Sequence, residues 1–281
     1  MKKTAMTTLG LLALGAGFLF GSVANASPEE DQKSFQTFFK ERFASTEFSD
    51  FQNGVYSIHP DSRKQWESIE DFPPYELAVD QGREIWEKPF ANGKTYADCF
   101  GGELSEIRAR YPYYNAAKDT VLTLEADINN CREANDEKPF GWKKGAIAEL
   151  SAFIAYEGRG KPVQVKMPET EKELAWYDKG KQFFYAKRGQ LNMACADCHV
   201  YYSGRMIRSE TLSPALGHTT HFPVYRSKWG SMGTLHRRYA GCNENIRAKS
   251  FKAQSDEYRA LEYFQTIMSN GLAFNGPGAR K

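Results

Sequence analysis

The chain lacks any long apolar run beyond its first 26 residues, which argues against a membrane-spanning helix in the remainder. Residues 1–26 have the pattern of a secretory signal peptide: two lysines at the start, an apolar stretch over 9–20 and a small-residue cleavage site at 24–26. The apolar stretch is short and rich in glycine, which favours a cleaved signal over a lone membrane anchor. We therefore predict an exported, periplasmic protein whose mature chain begins near Ser27.

An excess of one charge sign is also missing. The chain has 37 Lys and Arg against 35 Asp and Glu, and loss of the two lysines of the predicted signal leaves 35 of each sign. No global charge attracts such a protein to nucleic acid or to an anionic membrane, so neither is predicted as a partner. The predicted mature length of 255 residues allows one large domain or two small ones.

Cysteines are few, five in all, yet two of them form a motif, Cys195-Ala196-Asp197-Cys198-His199. Two cysteines separated by two residues and followed at once by histidine are the attachment pattern of a c-type heme. The thiols bond to the two vinyl groups, and the histidine becomes the proximal iron ligand. A structural zinc site needs a second ligand pair at similar spacing, which the sequence lacks. A thioredoxin-like redox pair does not need the histidine. We predict covalent heme c here.

The sequence contains two copies of one pattern. Four matches share an offset of 111 residues: Tyr111-Pro112 with Phe222-Pro223, Thr123-Leu124 with Thr234-Leu235, Cys131 with Cys242, and Phe140 with Phe251. Tyr-Ala-Asp-Cys-Phe at 96–100 stands where the second copy has Cys-Ala-Asp-Cys-His. A constant offset that includes a rare cysteine indicates an internal duplication. Glycines and prolines interrupt the pattern near 158–171, where the two copies join.

Strand-like alternation is scarce, and helical spacing of apolar residues dominates. Candidate helices cover 31–45, 80–88, 103–109, 121–133, 145–156, 171–187, 231–248 and 254–270. Residues 51–75, with one glycine and three prolines, are interpreted as irregular chain that wraps a domain. We predict an all-α fold of two tandem cytochrome c-like domains, a heme-less one over 27–160 and a heme-binding one over 161–281.

The first copy lacks the groups that hold a heme. Tyr96 replaces a thiol and Phe100 replaces the axial histidine, so one heme per chain is predicted. Cys99 and Cys131 then remain in an oxidising compartment, where a disulfide between them is the simplest outcome. On the loop-entropy model such a crosslink stabilises the fold by about 3–4 kcal/mol. Two buried free thiols are the alternative.

Cys242 is then the unpaired cysteine. By the duplication it lies near the heme that Cys198 holds, which makes it a candidate distal ligand. Spacing alone favours methionine, the common ligand of electron carriers, and the repeat shifts the weight to Cys242. The other candidates in the sequence are Met206, Met232, His218, His221 and His236.

Arg238 precedes Cys242 by four residues and shares its helical face. A guanidinium lowers the pKa of a nearby thiol and offers planar hydrogen bonding to an oxyanion. Its counterpart in the first copy is Asp127, so the arginine belongs only to the copy that kept the heme motif. The alternative is a solvated run of charge on a helix surface.

The export signal, the duplication, the heme motif in the second copy and Arg238-Tyr239-Ala240-Gly241-Cys242 together resemble the SoxA family of bacterial sulfur oxidation, over essentially the whole mature chain. At Tyr96 and Phe100 the sequence departs from members with two hemes and resembles single-heme members, in which a disulfide replaces the first heme. The resemblance implies an all-helical fold with two cytochrome c-like domains. It also implies these roles: Cys195 and Cys198 bind heme c, His199 is the proximal ligand, Cys242 is both distal ligand and catalytic cysteine, and Arg238 binds substrate.

The activity that the resemblance implies is that of an L-cysteine S-thiosulfotransferase. Such an enzyme joins thiosulfate oxidatively to a cysteine of the carrier SoxYZ and passes two electrons through a SoxX cytochrome subunit to a soluble cytochrome c. The main alternative is a plain electron-transfer cytochrome with a methionine or histidine distal ligand and a structural Cys242. A heme-based ligand sensor is a third possibility.

Overall fold

The computed structural model describes residues 26–280. The predicted signal peptide, residues 1–26, lies outside the described residues apart from Ala26. Helix α1 (Pro28–Arg42) begins at Ser27, whose hydroxyl accepts a hydrogen bond from the amide of Glu30 while the Glu30 carboxylate accepts one from the Ser27 amide. This capping box satisfies two amides at the helix start. Within the described part of the chain, no helix is long and apolar enough to cross a membrane.

The first half of the chain continues with six further helices and one hairpin. These are α2 (Pro60–Glu70), α3 (Glu76–Glu87), α4 (Tyr96–Phe100), α5 (Leu104–Ile107), α6 (Leu124–Ala134) and α7 (Ala146–Glu157), with β1 (Tyr113–Asn115) paired antiparallel to β2 (Thr120–Leu122). Turns of 3-10 helix cover Phe48–Ser57 and Arg108–Arg110. Residues 51–75, predicted to be irregular, therefore contain helix, because Pro60 is tolerated in the first turn of α2.

The second half has three helices and two small sheets. The helices are α8 (Glu171–Tyr185), α9 (Leu235–Asn245) and α10 (Asp256–Met268), and the heme motif runs into one turn of π-helix, Asp197–Tyr201. Strands β3 (Met206–Ile207) and β4 (Glu210–Thr211) form a hairpin. Strand β5 (Val224–Arg226) lies between β6 (Ser231–Gly233), which is antiparallel to it, and β7 (Gly278–Arg280), which is parallel.

The structure is about 51% helical and carries three small sheets. The all-α prediction is therefore correct for the dominant helices and wrong for the sheets. Each strand has only two or three residues, too few for period-two alternation to appear in the sequence. For the same reason the predicted helices at 121–133 and 231–248 begin too early, since each includes a strand.

Elements of the two halves correspond at the offset found in the sequence. Strands β1 and β2 pair through Tyr113 and Leu122, and β5 and β6 pair through Val224 and Gly233, each 111 residues later. Helices α6 and α9 are likewise separated by 111 residues at both ends. Equal register and equal helix bounds mean that the hairpin and the helix after it repeat as one unit.

Two helix crossings organise the core. Helix α3 packs on α7, and α8 packs on α10. A Cβ atom at Gly82 would lie 2.2 Å from the carbonyl oxygen of Glu149, and one at Gly180 would lie 2.1 Å from that of Ala260. Because neither glycine has a side chain, the two helices of each pair approach backbone to backbone.

The first helix of the chain packs with the second half. Phe35 and Phe39 of α1 are buried in the same apolar cluster as Phe184 and Phe264, and α1 contacts α10 directly. The sheet of the second half contributes Met232 and Ala279 to the cluster that contains α3 and α7. The halves therefore share apolar surface.

Candidate active site

The heme motif lies between α8 and the π-helical turn. The Asp197 carboxylate accepts a hydrogen bond from the amide of Ala194 at 2.7 Å, which holds the start of that turn. Cys195 and Cys198 are free thiols and are partly accessible. Burial raises the pKa of Cys195 to about 12 and also raises that of Cys198. Both are therefore protonated thiols at neutral pH, open to a group placed beside them.

His199 is held by one hydrogen bond on its far side. Its Nδ1 lies 2.9 Å from the backbone carbonyl oxygen of Ser213. A carbonyl only accepts hydrogen bonds, so Nδ1 carries the proton and Nε2 keeps a free electron pair. That tautomer is the one a metal-ligating histidine needs, and the carbonyl fixes the ring orientation.

Cys242, on α9, meets His199. The thiol hydrogen-bonds to His199, although the two residues are 43 positions apart. Burial raises the pKa of Cys242, but the charge of Arg238, the contact with His199 and the charge of Arg226 outweigh burial and bring the pKa down from 9.0 to about 7. A substantial fraction of Cys242 is therefore thiolate at neutral pH.

These residues fit a heme c. Two accessible free thiols stand at the spacing of the attachment motif, and the lone pair of His199 and the sulfur of Cys242 converge on one point. A nitrogen and a thiolate at that point form a ligand pair suited to heme iron. Cys195 and Cys198 would hold the porphyrin, and His199 and Cys242 would supply the axial ligands.

The structure places the other candidate distal ligands away from that point or engages them elsewhere. Met206 is 64% exposed on β3, and Met232 is buried among residues of the first half. His236 is engaged, since its Nδ1 accepts from Gln254 at 3.0 Å and its Nε2 lies 3.1 Å from the Glu262 carboxylate.

The two remaining histidines lie near the site without facing the Nε2 side of His199. His218 Nε2 shares the Ser213 hydroxyl at 3.0 Å, on the Nδ1 side of His199. His221 is buried and stacks on Phe222, with ring centroids 5.3 Å apart. Of the sequence-derived candidates, the geometry therefore favours Cys242.

Cys99 and Cys131 are joined in a disulfide, with Cα atoms 5.8 Å apart, which ties α4 to α6. Tyr96 is fully buried and packs against Trp86 at a ring distance of 6.0 Å. Phe100 packs on the same tryptophan at 5.9 Å. Aromatic rings therefore surround the positions that correspond to Cys195 and His199.

Arg238 lies on α9 one turn before Cys242. Among the described residues it makes no hydrogen bond or ion pair, and its charge contributes to the low pKa of Cys242. An unpaired guanidinium beside a sulfur nucleophile suits a small oxyanion, because it offers a planar fork of donors.

Sequence reasoning missed two residues of this site. Ser213 orients His199 through its carbonyl, and a backbone group leaves no residue-type signal in a sequence. Arg226, at the end of β5, acts on Cys242 from across the cleft. It could have been found by the offset of 111 residues, since its counterpart Asn115 is neutral.

Comparisons with known proteins agree with this site. Residues 81–163 match the family model described as SoxA/TsdA, cytochrome c domain. The chain is 52% identical to the L-cysteine S-thiosulfotransferase subunit SoxA of Allochromatium vinosum, covering 100% of both chains. It is 57% identical to that of Chlorobaculum tepidum, covering 90% of this chain and 88% of the relative.

A solved structure is also similar. The crystal structure of SoxXA from P. pantotrophus matches with a TM-score of 0.71 at 31% identity, covering 78% of this chain and 84% of the solved one. The convergence of the attachment thiols, His199 and Cys242 is thus found in a chain whose full-length relatives carry one name. The chain belongs to the SoxA family.

Proposed function

We propose that this chain is the SoxA subunit of an L-cysteine S-thiosulfotransferase, a periplasmic c-type cytochrome enzyme of sulfur oxidation. Its substrates are thiosulfate and a cysteine of the SoxYZ carrier. The observation that carries the proposal is Cys242, a thiol with a pKa of about 7 that meets His199 and lies beside the unpaired guanidinium of Arg238. The full-length relatives named as this enzyme support it.

The overall reaction joins the carrier thiol to the terminal sulfur of thiosulfate. The carrier loses its S–H proton, one S–S bond forms, and two electrons leave: R–SH + S₂O₃²⁻ → R–S–S–SO₃⁻ + H⁺ + 2e⁻. Sulfur–sulfur bonds form and exchange through a thiolate nucleophile. Cys242 fits that role, because part of it is ionised at neutral pH.

The residues of the chain divide the work. The Cys242 thiolate bonds to the terminal sulfur of thiosulfate as two electrons leave, and the carrier thiol then displaces Cys242 and keeps the S–SO₃ group. Arg238 donates hydrogen bonds to the sulfonate oxygens and neutralises part of the dianion. Ser213 keeps the Nδ1 proton of His199 in place. Heme c, when bound, supplies one-electron transfer toward the partner cytochromes.

We propose two tandem cytochrome c-like domains, 27–160 without heme and 161–281 with the single heme of the chain. The family model for a cytochrome c domain matches residues 81–163, in the half that lacks the attachment motif. The repeated hairpin and helix support the duplication. The Cys99–Cys131 disulfide lies where the first copy would otherwise bind heme. In this scheme α1 belongs to the first domain by sequence and packs on the second.

A SoxX cytochrome subunit, a soluble cytochrome c acceptor and a periplasmic location complete the proposal. The similar solved structure is that of SoxXA. Two electrons and one heme per chain also require a further acceptor. The signal-peptide pattern of residues 1–26 supports export.

The decisive experiment follows the carrier by mass spectrometry. The chain with its SoxX partner, oxidised cytochrome c and thiosulfate should add an S–SO₃ group to the SoxYZ cysteine. Cys242→Ser should keep covalent heme, because Cys195, Cys198 and His199 remain, and should lose the thiolate spectrum and the coupling together. A Cys99→Ala/Cys131→Ala variant is the matched control and should retain both. A serine variant with an unchanged spectrum and full turnover would leave a plain electron-transfer cytochrome.

A further inference from the structure

Arg226 occupies a rigid position beside the candidate active site. It is the last residue of β5, opposite Ser231 of β6 on one side and Arg280 of β7 on the other. The residue is only 8% exposed. Its guanidinium carbon lies 5.5 Å from the centre of the Trp229 ring. Backbone pairing on both sides and this ring contact hold the side chain on the sheet rather than on a mobile loop.

The charge of Arg226 acts on the same cleft as that of Arg238. It contributes to lowering the pKa of Cys242. Burial lowers the pKa of Arg226 itself to about 10, and the like charge of Arg238 lowers it further, while Glu210, Cys242 and Tyr56 oppose this. Two cations on different elements therefore face one sulfur. Their mutual repulsion is unfavourable in the free protein and is relieved by an anion between them.

The first half of the chain provides an internal comparison. The counterpart of Arg226 is Asn115, whose side-chain oxygen accepts from the Lys118 amide at 2.9 Å. The counterpart of Arg238 is Asp127, whose carboxylate accepts from the hydroxyls of Tyr111 and Tyr113, each at 2.9 Å. Both counterpart positions are satisfied within the chain.

The second half differs in each of these respects. Phe222 and Val224 replace the two tyrosines and have no hydroxyl. Cations replace the neutral and acidic residues, and Arg238 has no hydrogen-bond partner among the described residues. Both cations occur only in the half where the third counterpart, Cys242, is a free thiol rather than part of a disulfide. The pattern is that of a site built for an anion at Cys242.

We propose that Arg226 is a second substrate-binding residue, which with Arg238 forms a two-arginine clamp on the sulfonate end of thiosulfate. The inference rests on the function proposed above and adds to it how the substrate is oriented. A sulfonate has three equivalent oxygens, and two planar guanidiniums approaching from a strand and a helix can engage it from two directions. One arginine alone leaves the anion free to turn. Two arginines direct the terminal sulfur toward Cys242.

Direct binding of thiosulfate tests the clamp without turnover. We expect Arg226→Gln, in the oxidised complex with SoxX and without carrier, to weaken thiosulfate binding by about 10- to 100-fold in calorimetric titration, the range for hydrogen bonds to charged groups. In steady state KM for thiosulfate should rise by a similar factor and kcat should fall less. Lys249→Gln is the control for net charge, since Lys249 is exposed, and it should bind thiosulfate as the parent does.

The outcomes separate the clamp from the proposed function. Thiosulfate binding by Arg226→Gln equal to that of Lys249→Gln, with Arg238→Ala still defective, would overturn the clamp alone. Unchanged coupling in Arg238→Ala and Cys242→Ser as well would overturn the function itself. Should Arg226→Gln not accumulate as a heme protein, Arg226→Lys decides. It keeps the buried charge without the planar fork, so weaker binding than in Lys249→Gln supports the clamp and equal binding rejects it.

Discussion

The three free cysteines differ in their electrostatic surroundings, although they share one cleft. Burial raises the pKa of Cys195 to about 12, whereas burial at Cys242 is outweighed by Arg238, His199 and Arg226. The thiolate is the reactive form of cysteine in sulfur exchange. At neutral pH the chain thus concentrates nucleophilic character in Cys242 and leaves the attachment thiols protonated.

Arg238 is the residue at which this chemistry is most directly tested. Arg238→Ala should leave covalent heme and the axial ligands in place, so the optical spectrum should change little. It removes charge-assisted hydrogen bonds worth roughly 1.5–3 kcal/mol each. If they form mainly in the transition state, kcat/KM for thiosulfate should fall by about one to two orders of magnitude.

Arg238→Lys keeps the charge without the planar fork and should be intermediate in steady-state assays. Equal kcat/KM values for the parent, the alanine variant and the lysine variant would assign Arg238 to a solvated helix surface.

At the scale of elements, one helix crossing is used twice. Gly82 on α3 and Gly180 on α8 each face the backbone of the partner helix, and Glu149 and Ala260, which they approach, are themselves 111 residues apart. A repeated backbone contact of this kind depends on the absence of a side chain at one position in each half. The crossing of α8 and α10 in turn supports the segment that leads into the heme motif.

Gly180→Ala and Gly82→Ala should both destabilise the protein, because the new methyl group would lie about 2 Å from a backbone oxygen. Overpacking of this kind typically costs about 1–3 kcal/mol. Chemical denaturation followed by circular dichroism measures the loss. Gly141→Ala is the control, since nothing lies within 4 Å of its added Cβ and its stability should match the parent. Equal stability of all three variants would contradict the close approach.

The disulfide joins two elements that would otherwise be linked only by packing. It closes a sequence separation of 32 residues between α4 and α6. Cys99→Ala/Cys131→Ala should lose about 3–4 kcal/mol in the free energy of unfolding, because the unfolded chain regains loop entropy. Denaturation curves measure this loss, and peptide mapping of the unreduced parent should recover the linked pair. Two alkylated free thiols in the parent would contradict the crosslink.

At the scale of the molecule, charge is divided between the two halves. Residues 27–160 carry 16 basic and 25 acidic side chains, whereas residues 161–281 carry 19 and 10. The near-neutral total therefore conceals a polarised molecule. The positive half contains Cys242 and both arginines of the cleft, so its field attracts small anions toward the site and does so less at high salt.

The heme content tests the whole-molecule scheme. We expect one covalent heme per chain, because only the second half has both thiols and the histidine, while Tyr96 and Phe100 occupy the first-half positions with buried or packed rings. A pyridine hemochrome assay against protein concentration gives the number. His199→Ala should alter the spectrum and leave the covalent attachment. Two hemes per chain would be incompatible with duplication followed by loss of the first site.

The sequence alone determined whatever depends on neighbouring residues or on a constant spacing. The attachment motif is five consecutive residues whose chemistry is covalent, and the duplication is a fixed offset that survives any folding. Comparison of the two copies led to Cys242 and to the pairing of Cys99 with Cys131, because homologous positions occupy similar places. Most helices were predictable for the same local reason, and the strands of two or three residues were too short to leave a pattern.

Only the tertiary structure decided contacts between residues far apart in the chain. It brought His199 to Cys242, placed the Ser213 carbonyl behind the imidazole and engaged His236 with Glu262. It also packed α1 on the second half and carried Arg226 to the cleft. These outcomes follow from burial of apolar surface by elements distant in sequence, which depends on the shape of the whole core and not on any local pattern.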